Sequence, residues 1–183
     1  MKTLLFPTLL SLALASMLTA QTCREVVRDA SGRIVQTIDR QKSAGGSVQM
    51  TTRDASGRII GTATTRPNAS GSSQTQYRDA SGRLTGSANT QPTAGASSRT
   101  TYRDASGRIE GSADTRTGSG SATNTQYRDA SGRITGSSAT SGSSSGSFSG
   151  TLRDASGRIT GGSSGSGKYQ DVAKTPIPPQ PTQ

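Results

Sequence analysis

Arg28-Asp29-Ala30-Ser31-Gly32-Arg33-Ile34 is the first of six copies of one phrase. The others begin at Arg53, Arg78, Arg103, Arg128 and Arg153, always twenty-five residues further on, with Leu84 the one substitute for the final Ile. A fixed period of that size marks a repeat architecture in which each copy is one supersecondary unit. The spacers vary in composition but never in length, so geometry constrains the length, as serial stacking of like units would.

Within a copy, two β-prone runs flank the phrase, as in Gln74-Thr75-Gln76-Tyr77-Arg78 and Arg83-Leu84-Thr85. Asp29, Asp54, Asp79, Asp104, Asp129 and Asp154 open a turn by accepting backbone N–H groups ahead of them. Gly32, Gly57, Gly82, Gly107, Gly132 and Gly157 close it at positive φ. The form is a type I turn followed by a glycine bulge, because an unprimed two-residue turn would oppose the strand twist. It sets Asp79 opposite Arg83 and Arg78 opposite Leu84, and leaves Tyr77 on the other face beside Thr85. A two-residue loop would bring Tyr77 against Leu84 and invert both faces.

The second strand is poor in bulk at alternate positions: Ile59-Gly61-Ala63, Leu84-Gly86-Ala88, Ile109-Gly111-Ala113. A bare face suits close approach of a neighbouring backbone. Isolated hairpins are marginal in water, so the units must associate. These features predict an all-β fold over residues 21–160, with tandem hairpins forming a thin β-solenoid or an elongated meander. A Gly/Ser linker and a Pro-rich disordered tail follow over 161–183. The first copy is the most apolar (Val26, Val27, Ile34, Val35, Ile38) and the last carries Phe148, Leu152 and Ile159, a distribution that suits terminal caps.

Residues Met1 to Ala20 have the pattern of a secretory signal: Lys2, an apolar stretch from Leu4 to Leu18, and small residues before Gln21. The stretch falls short of the ~20 residues of a spanning helix. The mature chain is therefore expected in the periplasm, outside the cell or on its surface. Cys23 raises lipid attachment as an alternative, but Ala20-Gln21-Thr22 is a poor lipobox. As the single cysteine, Cys23 excludes an intramolecular disulfide and leaves intermolecular pairing open.

Tyr77-Arg78-Asp79-Ala80-Ser81-Gly82-Arg83-Leu84-Thr85 resembles the YD repeat of RHS and teneurin-type proteins, whose pattern runs Tyr-Asp-x-x-Gly-Arg-Leu-Thr. It also resembles, more weakly, the MORN-related repeats of some bacterial antitoxins. The YD likeness covers the turn and both strand starts. It implies hairpins that build a shell, and no catalytic residue. The chain departs from it where Arg78 and its counterparts precede Asp and the tyrosine stands one place upstream. That step moves the ring to the opposite face and leaves the Arg stem to cover the Ile or Leu.

The chain carries no His and one Cys, and its repeat carboxylates are spaced one per copy. Paired acid–base or nucleophilic chemistry has no such foundation, so no enzyme, cofactor or metal site is expected. The serines of the phrase are turn residues. One Asp beside two Arg is far from the oxygen cage of Ca²⁺, and pairing of the Asp29–Arg33 type is the expected role.

The formal charge of +10 points instead to polyanions. Arg28, Arg33, Arg53, Arg58, Arg78, Arg83, Arg103, Arg108, Arg128, Arg133, Arg153 and Arg158 would form a periodic cationic stripe for anionic polysaccharide, envelope polymer or another polyanion. Specific nucleic-acid recognition lacks a motif. The reading is a secreted, non-enzymatic structural or adhesive protein. Three alternatives stand beside it: a self-associating fibre subunit with open edges, a partly disordered secreted protein, and an immunity-like repeat protein.

Overall fold

The computed structural model describes residues 21–143 and 146–167; the expected signal segment and the Pro-rich tail lie outside the described residues. Each copy of the phrase turns one antiparallel hairpin. The strands are β1 (Gln21–Asp29), β2 (Ile34–Lys42), β3 (Val48–Asp54), β4 (Ile59–Pro67), β5 (Ser73–Asp79) and β6 (Leu84–Thr93). They continue with β7 (Ser97–Asp104), β8 (Ile109–Thr117), β9 (Thr123–Asp129), β10 (Ile134–Gly142), β11 (Ser147–Asp154) and β12 (Ile159–Gly167). The expected linker at Gly161 to Gly167 is instead the body of β12.

The strands follow chain order around one sheet, and β12 returns to pair with β1. The solenoid or open meander is thus corrected to a closed barrel. The constant period has a radial cause: every hairpin must span the same barrel height and meet both neighbours in the same register. Closure also removes the free edges that a stack would leave at its two ends.

The turn forms as its residues dictate. The Asp79 N–H donates to the Arg83 carbonyl at 3.0 Å and the Gly82 N–H to the Asp79 carbonyl at 3.0 Å. Gly82 sits at φ 84°, a conformation a side chain disfavours. Arg78 pairs with Leu84 as expected, but the next pair is Tyr77 with Gly86, and Thr85 has no partner on β5. Tyr77 therefore lies opposite Gly86, and the position beside Thr85 is corrected. This second bulge has a consequence for both faces: Leu84 and Thr85 are exposed, while Tyr77 and Gly86 are buried.

Gly86 in turn pairs with Asp104, two places beyond Tyr102, the counterpart of Tyr77. Each hairpin advances the register by the same two residues, and six such steps give a shear equal to the number of strands. Tyr77 consequently lies between Ala63 and Gly86, Tyr102 between Ala88 and Gly111, and Tyr127 between Ala113 and Gly136. The bare face seen in the sequence thus lies inside the barrel, flanking aromatic rings. Those rings, with Ile38, Met50 and the three alanines, make one core cluster, and Cys23, Val48 and Phe148 make a second.

Small residues at this level are required by the backbone as well. A Cβ on Gly86 would sit 2.5 Å from the Arg103 carbonyl oxygen, and one on Gly136 would sit 2.5 Å from that of Arg153. Gly161 meets the Arg28 carbonyl in the same way, so the seam is built like the other joints. Gly86→Ala is expected to cost about 1–3 kcal/mol through forced strand separation. Gly45→Ala, where the added carbon meets nothing within 4 Å, should stay within about 0.5 kcal/mol of wild type; urea titration of the two variants measures the difference.

Candidate functional site

Because the six hairpins share one register, equivalent residues lie on a circle about the barrel axis, and all six turns gather at one rim. Each turn is locked by its aspartate. Asp79 Oδ1 accepts from the Ser81 N–H at 2.9 Å, the Ser81 hydroxyl at 2.6 Å and the Arg83 N–H at 3.0 Å. The same set recurs at Asp29, Asp54, Asp104, Asp129 and Asp154. The expected Asp–Arg ion pair is therefore corrected: each carboxylate binds the backbone of the second arginine, and its guanidinium contributes only a weaker field.

The two arginines of each phrase separate into two roles. Arg28, Arg53, Arg78, Arg103, Arg128 and Arg153 turn back over the hairpin and donate from Nη1 to the carbonyl of the turn glycine, at 2.8–3.1 Å. They fasten the turn. Arg33, Arg58, Arg83, Arg108, Arg133 and Arg158 are exposed, and among the described residues their guanidinium groups have no hydrogen-bond or ion-pair partner. The stripe of twelve is thus a ring of six exposed cations at the turn tips and a ring of six structural ones. On the wall below, Asp39 bridges Arg24 at 2.6 Å and Arg53 at 3.9 Å. Asp114 bridges Arg99 at 2.7 Å and Arg128 at 3.9 Å.

Hydrogen bonds from backbone and serine hold all six turn carboxyls below their usual range. For Asp29 the Arg33 N–H is the largest cause, and for the other five it is the serine hydroxyl. A carboxyl whose folded pKa is depressed contributes stability above its unfolded value and loses it as the pH falls through the folded value. Thermal unfolding is accordingly expected to be insensitive to these groups from pH 7 down to about 5. The midpoint should drop steadily below about pH 4, with all six turns contributing in the same direction.

Several inward residues escape a reading of the phrase alone. Arg40 and Glu25 form a buried pair at 2.7 Å, with the Arg40 Nε lacking a hydrogen-bond partner. At the positions equivalent to Arg40, Thr65, Thr90 and Thr115 bond Thr75, Thr100 and Thr125 on the adjacent hairpin at 2.7, 2.8 and 3.0 Å. Burial pushes the Tyr77 hydroxyl up, the Arg40 charge opposing that shift, and pushes Tyr102 and Tyr127 up as well. None of the three phenols is a ready proton donor at neutral pH.

The thiol of Cys23 is 2% exposed and raised by burial. A disulfide to another molecule is closed to it in this fold. Cys23 should react with a thiol reagent at pH 8 at least about tenfold more slowly than a free thiol in the native protein, and at the ordinary rate in denaturant.

No group of three or more metal-ligating side chains gathers among the described residues. No protein-family model matches the chain, and no curated protein matches it.

Proposed function

We propose that the chain is a non-enzymatic binding protein of an exported compartment that engages anionic polymers end-on, through the ring of arginines at its turn rim. One observation carries the reading. Each turn brings two arginines and one aspartate to the same rim; the carboxylate is spent on backbone N–H groups, and the second guanidinium is left in solvent. The aspartates stay ionised, so each turn carries a net charge of +1, and six such turns spaced around a circle create a net positive field at the rim.

Further features support this reading over its rivals. Every strand is paired on both sides, so the open edges on which a fibre subunit would grow are missing among the described residues. Cys23 lies in the core with its strand paired on both flanks, which argues against lipid attachment at that residue. The likeness to YD-type repeats bears on the hairpin unit.

Binding of polyphosphate to residues 21–183 is expected to weaken linearly in log–log form as salt rises. The triple change Arg33→Gln, Arg83→Gln, Arg133→Gln should remove about 3 kcal/mol at low salt, at roughly 1 kcal/mol per cation near an anionic surface. Calorimetric titration reads both. Unchanged affinity in the triple variant would remove the ring from the reading.

A further inference from the structure

Just below the turn tips, the outer wall carries Ile34, Ile59, Leu84, Ile109, Ile134 and Ile159, one per hairpin, with relative exposures from 37% at Leu84 to 50% at Ile159. Each pairs across its hairpin with the turn-fastening arginine, as Ile34 does with Arg28 and Ile109 with Arg103. The turn register sets these aliphatic side chains on the face opposite Tyr77, and the bulge that follows keeps the next residue outside with them. In the first two hairpins it exposes Val35 and Ile60 as well. The band is not uniformly apolar, because Glu110 occupies the equivalent position in the fourth hairpin.

Resting on the reading of the turn rim as an anion-binding ring, we infer that the partner is the surface of an anionic lipid layer, met end-on. The arginine ring would lie among the phosphates and the aliphatic band at the boundary of the acyl chains. The shape of the site selects a surface over a strand. Cations on a circle normal to the barrel axis can all reach a plane together, whereas a linear polymer crossing the rim meets only some of them. Charge complementarity selects the occupant: a second copy docked rim to rim would set one arginine ring against another. A soluble polyanion would leave the aliphatic band in water.

The turn tips, Ala30-Ser31-Gly32 and their counterparts, are small and can enter a headgroup layer without displacing much of it. Amphipathic elements that lie on membranes combine the same two terms, buried apolar area and attraction to anionic lipid. The mode is peripheral, because lower down the outward residues are polar, among them Arg24, Asp39, Gln74 and Gln76. That wall lacks the apolar band of a membrane-spanning barrel.

The test is co-sedimentation of residues 21–183 with vesicles of phosphatidylcholine containing a minority of phosphatidylglycerol, and with phosphatidylcholine alone. Polyphosphate titration and sedimentation equilibrium are run on the same samples. In the band variant Ile34, Ile59, Leu84, Ile109, Ile134 and Ile159 become Thr, which keeps β propensity at exposed positions. The arginine triple variant serves alongside.

Wild type is expected to bind only the anionic vesicles. The band variant should lose about tenfold or more of that affinity while binding polyphosphate as wild type does, and the arginine variant should lose both. A variant containing only Ile109→Thr and Ile159→Thr should show an intermediate loss, which covers failure of the full set to fold. Wild-type protein that binds polyphosphate but no vesicle overturns the lipid inference and leaves the arginine ring standing; binding to neither overturns both. Vesicle binding unaffected in the band variants, or a dimer that those changes dissociate, also overturns it.

Discussion

The carboxylate of the turn aspartate, bonded to two backbone N–H groups and a hydroxyl, is the constraint on which the rest of the molecule hangs. It holds Ser81 and Arg83 in the geometry that lets Gly82 take positive φ, and that geometry fixes which residues of the two strands meet. Setting Arg78 against Leu84 puts the tyrosine and the aliphatic residue on opposite faces, and the bulge that follows brings Gly86 inside beside the tyrosine and leaves Thr85 outside. A change of one place in this pairing would exchange inside for outside over the whole hairpin.

From the same constraint comes the division of labour between arginines. The first fastens the turn through its glycine carbonyl. The second donates only its backbone N–H to the aspartate, so its side chain remains in solvent. A motif that carries two arginines and one aspartate in sequence thus gives its acid and its first base structural hydrogen bonds, and leaves the second guanidinium exposed. The cationic rim follows from how a stable turn is made, repeated six times about an axis.

The hairpins, the turn type and the Arg78–Leu84 register were legible in the phrase because Asp, Gly and the residue count between strands dictate them locally. Closure was not legible, since pairing of β12 with β1 joins residues at opposite ends of the repeat array and no local preference announces it. Gly161 to Gly167 read as a linker because Gly and Ser have low strand propensity. Their neighbours Phe148 and Cys23 lie close enough that added side chains at Gly165 and Gly167 would overlap them. The spacers look freely varied in composition, yet Thr65, Thr90, Thr115 and Thr140 recur at the repeat interval, at the position whose side chains bond across to the adjacent hairpin inside the barrel in the first three. Superposing the spacers at alternate positions would have separated the restrained inner set from the variable outer one. The Tyr77 position needed the second bulge, a departure from simple alternation that no single residue signals.

The seam between β1 and β12 also sets the order in which the ring can be completed. Every other joint links strands that follow one another in the chain, so those hairpins can zip as soon as they are available. The first strand must wait, with Cys23, Glu25 and Val27 facing no wall, until the last has been delivered. The final joining event spans the whole array and bears the largest loop entropy in the fold. A growing or threading chain therefore passes through an arc with two sticky margins before it becomes a cylinder with none.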